Sequence, residues 1–315
     1  MKLISPNVQI IEQGVHPGFY INDVYKQIER CGRTCYKSED KITDESAWPF
    51  VSRMISSDHT AMLEHGTVYL TLFLSDPSKF DSIETYQEAE KHFKSIVSHY
   101  AGNAHSRVHM NQYEDYAFIT TNLRVIVQNN WLDDLAYISA PSIFHERRVT
   151  VKFTCDIGVS REFNRHRVNS MAEQSTRYCN YAKDKFGGEC SFSFVPWADT
   201  HDATIATHNA IDGSTIIPYD TTNWNAIDWW LWSLEAAETA YMKEIELGWK
   251  PQQARVSLPL NTATELVHTA FLSDWMHFID LRSKGTTGAP HPQAKELADM
   301  LVKEFVSHKI IEQPI

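Results

Sequence analysis

Apolar side chains recur at helical spacing in some stretches of the chain and alternate in others. In NDVYKQIERCGRTCY at 22–36 they fall three and four apart behind an Asn–Asp start, which predicts a helix. A second helix is predicted over 44–58. TVYLTLFL at 67–74 is β-branched, aromatic and partly alternating, which predicts a strand. SIETYQEAEKHFKSIVSHY at 82–100 has the amphipathic pattern of a helix, YAFITTNLRVIVQ at 116–128 reads as strand, and NNWLDDLAYIS reads as a short helix. VTVKFTCDIGVS at 149–160 alternates again and predicts a strand running into an arginine-rich stretch. The clearest helix spans 222–248, where Trp224, Ile227, Leu231, Leu234, Tyr241 and Ile245 keep mostly to steps of three and four before Gly248 and Pro251 stop it. Two more helices are predicted around 273–283 and 292–308. Helices and strands mix without a regular βαβ alternation, so the pattern predicts an α+β fold.

At 315 residues the chain has the length of one large domain or two small ones. Hydrophobic residues make up 43% and charged residues 22%, which excludes disordered and collagen-like classes. The formal charge of −11 repels a nucleic-acid polymer unless basic residues gather in one place. The five cysteines, at 31, 35, 155, 179 and 190, are an odd count without a paired framework, which predicts reduced thiols. The start MKLISPNVQIIEQG lacks an apolar leader, and no run of eighteen apolar residues occurs. These features predict a soluble cytoplasmic protein without a membrane partner.

Neither GxGxxG nor GxxxxGK[ST] occurs, which argues against a Rossmann fold and a P-loop. HTAMLEH at 59–65 looks like a zinc signature, but His59 and His65 are six apart and would not share a helical face. No metal is therefore predicted. Cys31 and Cys35 could share a face, yet no second ligand pair follows, and two small buried or half-buried thiols explain them as well.

Residues 161–178, REFNRHRVNSMAEQSTRY, gather four arginines and a histidine against two acids. Arginine suits phosphate because its planar fork donates two parallel hydrogen bonds and stays charged. Ser170, Ser175 and Thr176 add hydroxyls, and Glu173 adds an acceptor. On composition alone this is either an anion pocket of nucleotide size or a solvated basic face.

The order of the residues goes further. Arg165-His166-Arg167, seven residues, then Ser175 resembles the RHRx7S signature of the flavin-dependent thymidylate synthases. The longer pattern RHRxxSxNExSxRY is met at Arg165, His166, Arg167, Ser170, Glu173, Ser175, Arg177 and Tyr178. RTCYKS at 33–38, HTAMLEH at 59–65, ARVSLPLN at 254–261, FIDLR at 278–282 and PHPQ at 290–293 are similar to further family segments, in family order. The resemblance covers most of 22–75 and 147–310, within a single domain spanning 1–315. Against it, 76–147 and 198–222 read as insertions.

The resemblance implies an antiparallel sheet flanked by helices, a homotetramer with shared active sites, and conversion of dUMP to dTMP. Methylenetetrahydrofolate would donate the carbon, FAD would carry the hydride and NADPH would reduce it; no enzyme cysteine would attack the uracil. The implied FAD contacts are Cys35, Ala61, Glu64, Arg165, His166, Arg167, Val168, Glu173, Ser273 and His277. Glu162, Arg165, Glu173, Gln174, Ser175, Thr176 and Arg177 would hold dUMP, with Arg255 reaching in from a neighbouring chain. The catalytic assignments fall on Arg282, favouring ionisation of uracil N3, and on His59, near the folate. Five positions depart from the family pattern. Ala172 replaces Asn, Glu162 replaces a phosphate-holding Gln, Cys35 and Ala61 replace hydroxyl residues, and His277 replaces Asn. At Glu162 a carboxylate would repel phosphate unless Arg161 or Arg165 offset it. A nucleotide-binding or RNA-binding regulator, or a flavin oxidase using the same cradle, are the rival classes.

Overall fold

The computed structural model describes residues 1–18, 20–183, 185, 187–199 and 221–312. Along the chain, β1 (Lys2–Ile4) and β2 (Asn7–Ile11) lead into α1 (Tyr20–Thr34) and α2 (Ala47–Ser56). A 3₁₀ segment at Thr60–His65 precedes β3 (Thr67–Phe73), α3 (Ile83–Ala101), β4 (Arg107–Met110), β5 (Tyr116–Asn122) and α4 (Leu123–Gln128). Next come β6 (Arg148–Asp156), α5 (Ile157–Phe163), β7 (Ser170–Glu173) and β8 (Ser191–Ser193). The chain closes with α6 (Ala226–Glu246), the one-turn α7 (Pro251–Ala254), β9 (Ala263–Phe271), α8 (Leu272–Ile279) and α9 (Pro292–Ser307).

The main sheet is antiparallel throughout, in the order β2-β6-β9-β7. Alternation along β6 puts Val149, Val151, Phe153 and Cys155 on one face, where they join Phe163, Trp275, Phe278, Leu297, Leu301 and Phe305 in the largest core. Helices α5, α8 and α9 therefore cover that face. On the opposite face Val267 and Ala172 meet Ile11 and Cys31, so α1 packs there. A second antiparallel sheet, β3-β5-β4, shares its core with α1, α2 and α3. β1 and β8 form a parallel pair. The expectation of a mixed helix and sheet fold with an antiparallel sheet holds, and the described residues add two smaller sheets to the main one.

The 76–147 segment is not a loop excursion: β4 and β5 build the second sheet on β3, with α3 packed against it. Of the other segment, 198–222, residues 200–220 lie outside the described residues. Two predicted strands run one element too far. LRVIVQ at 123–128 is α4, because Asn122 Oδ1 accepts from the Val125 N–H at 3.1 Å and caps a helix there. IGVS at 157–160 belongs to α5, capped by Asp156 Oδ1 at 2.7 Å from the Val159 nitrogen. NNWLDDLAYIS is a 3₁₀ segment over Leu132–Tyr137. The helix predicted over 273–283 begins as α8 and widens into a π turn at Asp280–Lys284.

Candidate active site

The arginine-rich stretch starts where the main sheet hands the chain to α5. Asp156 caps α5 and also accepts from Gln293 Nε2 at 2.8 Å and Asn261 Nδ2 at 3.2 Å, which fixes the helix against α9 and the entry to β9. Arg165, Arg167 and Val168 are exposed beyond the end of α5, while His166 turns inward with its ring centroid 4.7 Å from that of Phe278. The chain then re-enters the sheet as β7.

Arg282, on the π turn, reaches this corner. Its Nη1 donates to Glu162 Oε2 at 2.8 Å, its Nη2 to the Glu162 carbonyl at 2.8 Å, and its Nε to His166 Nε2 at 3.2 Å. His166 can accept only if it is neutral with its proton on Nδ1. Burial, then the charges of Arg282 and His277, push its pKa down to about 4, which keeps it so. The carboxylate of Glu162 is offset by Arg282, and not by Arg161 or Arg165 as the sequence suggests.

Glu173 ends β7 in a cradle of neutral donors. Its Oε1 accepts from Ser160 Oγ at 2.7 Å and Thr264 Oγ1 at 3.4 Å, and its Oε2 accepts from Asn164 Nδ2 at 3.2 Å. Behind Asn164 stands His268, whose Nε2 lies 3.4 Å from Asn164 Oδ1 and whose Nδ1 lies 3.2 Å from Asn169 Nδ2. Those partners require Nε2 to carry the proton and Nδ1 to accept. Complete burial, then the neighbouring His65 and His166, push its pKa down to about 3.

After β7 the chain makes a tight turn. The Ser175 N–H donates to the Cys35 carbonyl at 2.9 Å, and the Cys179 N–H to the Ser175 carbonyl at 3.0 Å. Ser175 Oγ accepts from the Arg177 N–H at 3.3 Å, and Arg255 Nη1 donates to Thr176 Oγ1 at 3.3 Å. Arg177 and Arg255 are exposed, and Gln174 is buried with its amide 3.5 Å from the Tyr181 hydroxyl. Within a single chain, Arg255 thus meets the 175–177 turn. Burial pushes the Cys35 thiol up to about 11, so no reactive thiolate stands here.

A cavity of about 460 Å³ lies on the far side of Arg167, between the main sheet and the 76–147 segment. Glu64, Arg167 and Val168 line it, as do Arg107, Arg124 and Arg148, which sequence reasoning missed. Glu64 pairs with Arg124. Arg148 donates to the Glu64 carbonyl at 3.1 Å, Thr67 Oγ1 at 3.2 Å and Ser170 Oγ at 3.3 Å, and its Nε is buried without a partner. Ser273 stands off the lining and donates to Glu146 at 2.5 Å, while His277 places its ring 6.5 Å from that of His166. His59, just ahead of the 3₁₀ segment, and Ala61, on it, are exposed and do not line the cavity, although Thr60 between them accepts from the lining residue Gln128 at 2.9 Å. Arg107 and Arg124 stand singly in the sequence and Arg148 follows Arg147 without a recognisable motif; only the convergence of the three in space marks them. Among the described residues no cluster of three or more His, Cys, Asp or Glu could hold a metal ion, and no helix is long and apolar enough to cross a membrane.

The profile of the Thy1 family, "Thymidylate synthase complementing protein", matches residues 83–308. The chain belongs to that family. The matched span takes in the arginine-rich stretch, the 175–177 turn and Arg282 of this Thy1 chain, together with most of the segment that reads as an insertion. A protein of Paramecium bursaria Chlorella virus 1 described as "Probable flavin-dependent thymidylate synthase" is 27% identical over 168 residues, 53% of this chain and 71% of that protein. A UMP/dUMP methylase, PolB, from Streptomyces cacaoi superimposes with a TM-score of 0.41 in two crystal structures. The one with 5-Br dUMP is 15% identical and covers 98% of this chain and 93% of the other. The one with 5-Br UMP is 13% identical and covers 98% and 92%.

Proposed function

We propose that this Thy1 protein is a flavin-dependent thymidylate synthase that methylates dUMP to dTMP, with methylenetetrahydrofolate as carbon donor and NADPH as reductant, in the cytoplasm and as a homotetramer. The observation that carries the reading is the meeting of Arg282, His166 and Glu162, residues 120 positions apart in sequence at the extremes, beside the cradle of Glu173. The cavity next to them suits a flavin dinucleotide, since it holds cationic donors, including a buried Arg148 Nε with no partner. Glu64, Arg167 and Val168 would hold the flavin there, and when bound it would supply the hydride chemistry that amino-acid side chains lack.

The chain's own residues would bind and polarise the nucleotide. Arg282 commits three of its five N–H groups to His166 and Glu162, which leaves one on each terminal nitrogen for an incoming acceptor. A guanidinium held in this way stabilises the anion that develops at uracil N3 without reorganising. Neutral His166 locks the guanidinium plane. Ser175, Thr176, Arg177 and Arg255 would take the phosphate, and Glu173 would accept from a nucleotide or flavin N–H. His59, exposed at the protein surface, would stand on the folate side.

The test is dTMP formation from dUMP with methylenetetrahydrofolate, NADPH and added FAD, beside a mixture lacking NADPH. Product in the complete mixture alone is expected. Bound flavin without product would favour an oxidase or binding role.

A further inference from the structure

The arginines at the cavity mouth are more numerous than the neighbouring acids can satisfy. Four guanidiniums, of Arg107, Arg124, Arg148 and Arg167, face two carboxylates, of Glu64 and Asp274. Glu146 stands behind Arg107 at 3.5 Å from its Nε and is shared with Ser273. Arg107 and Arg148 lie over the same ring, with their guanidinium carbons 4.5 and 5.5 Å from the centroid of Phe271. Two like charges on one aromatic platform repel, and an anion bridging them would relieve the repulsion. Asp274 is the second carboxylate at this platform; burial pushes its pKa upward, and the charges of Arg107 and Arg148 oppose that rise. Arg107 is aimed by its own backbone, donating from Nη1 to the carbonyls of Ala104 at 3.2 Å and Ser106 at 3.0 Å. Arg124 is held by Glu64 and by Gln128, whose Oε1 accepts from its Nε at 3.1 Å.

We infer that this cavity seats the diphosphate of the flavin dinucleotide, with Arg107 and Arg124 of the 76–147 segment and Arg148 of β6 as its donors; the inference rests on the flavin reading above. Guanidinium forks match phosphate oxygens two at a time, and three converging forks suit a diphosphate better than a single carboxylate. A volume of about 460 Å³ is ample for the diphosphate and its adjoining groups. The nucleotide substrate has a separate set of cations in Arg177 and Arg255, so the two phosphate-bearing ligands need not compete. The 76–147 segment then acquires a role: it closes the diphosphate end of the cofactor site.

Calorimetric titration of the full-length protein with FAD, riboflavin, ADP and NADP⁺, each followed by dUMP, tests this. The wild type should bind FAD at least tenfold more tightly than riboflavin, and ADP should displace FAD. Arg107→Gln and Arg124→Gln should each weaken FAD about tenfold or more while leaving riboflavin and dUMP affinities within about twofold. Retained dUMP binding shows that a variant is folded, and Arg107→Gln, free of the contact to Glu64, guards against a local packing effect of the other. Equal FAD and riboflavin affinities in the wild type, or equal losses for both in the variants, would overturn the diphosphate seat while leaving the flavin reading standing. Displacement of FAD by NADP⁺ but not by ADP would assign the arginines to the reductant instead. A wild type that binds dUMP but no flavin would remove the flavin reading itself.

Discussion

Arg282, Glu162 and His166 form one unit in which each member sets the state of the others. Replacing Arg282 by Ala leaves Glu162 partly buried without its cation and opens the approach to uracil. Turnover should fall by about 10²–10³-fold with the fold retained, read as dTMP formation beside a circular-dichroism melt. Normal turnover in that variant would exclude the proposed role. Glu162→Gln keeps an acceptor for Arg282 while removing a charge from the phosphate approach. We expect the KM for dUMP to drop several-fold with kcat little changed, and an unchanged KM would show that the carboxylate does not oppose the phosphate. Three buried histidines carry a pH signature. His166 is held neutral down to about 4, and His65 and His268 down to about 3, each chiefly by burial. The unfolded chain protonates them near 6.5, so on acidification it binds protons that the folded chain refuses. Their contribution to stability is complete above about pH 6.5 and declines from there toward pH 4 and 3. Melting temperatures measured from pH 8 to pH 4 at constant ionic strength should fall over the lower part of that range; a flat profile would mean that these rings are not buried as described.

At the scale of elements, Asp156 joins the strand that ends at it to everything the site uses. It caps α5, which carries Ser160 and Glu162, and it accepts from Gln293 of α9 and from Asn261 ahead of β9. Asp156→Ala removes the cap and leaves two amide donors without their acceptor, a loss of roughly 2–4 kcal/mol by denaturant titration. A loss below about 1 kcal/mol would mean that the neighbouring amides rearrange. The same junction shows what the sequence could and could not tell. Amphipathic helices such as α1, α3 and α9 announce themselves, because one face is wet and one is dry. β9 does not: its residues are buried almost throughout, so the alternation that marks a strand is missing, although it is central to the main sheet. α4 and the start of α5 looked like strand because a single cap, Asn122 or Asp156, outweighs a β-branched composition. At the site, the 161–178 stretch was legible as a contiguous motif with Arg282 and Arg255 in family order. Arg107, Arg124 and Arg148 were not, since their kinship is created by the folding of the 76–147 segment against β6.

For the molecule as a whole, the position of Arg255 sets up a test of whether one chain or two would complete the phosphate turn. Family resemblance points to an Arg255 supplied by a neighbour, whereas here its Nη1 reaches Thr176 of the same chain, next to Arg177. If one chain furnishes both cations of the phosphate turn, a mixed oligomer of Arg255→Ala and Arg177→Ala chains contains no intact turn at all, because every chain lacks one cation or the other. If Arg255 crosses between subunits, some turns in the mixed oligomer receive an intact Arg177 from one chain and an intact Arg255 from the next. Unfolding and refolding the two variants together, then assaying dTMP formation, separates these cases. We expect the mixture to stay at the level of the separate variants, each reduced by about tenfold or more through loss of a charge-assisted phosphate contact. Recovery beyond the separate variants would place Arg255 in the neighbour's site and make the contact to Thr176 a property of the isolated chain. The electrostatics favour the first outcome: exposed cations at the 175–177 turn of a chain with net charge −11 already provide a local attraction for a nucleotide phosphate before any neighbour contributes.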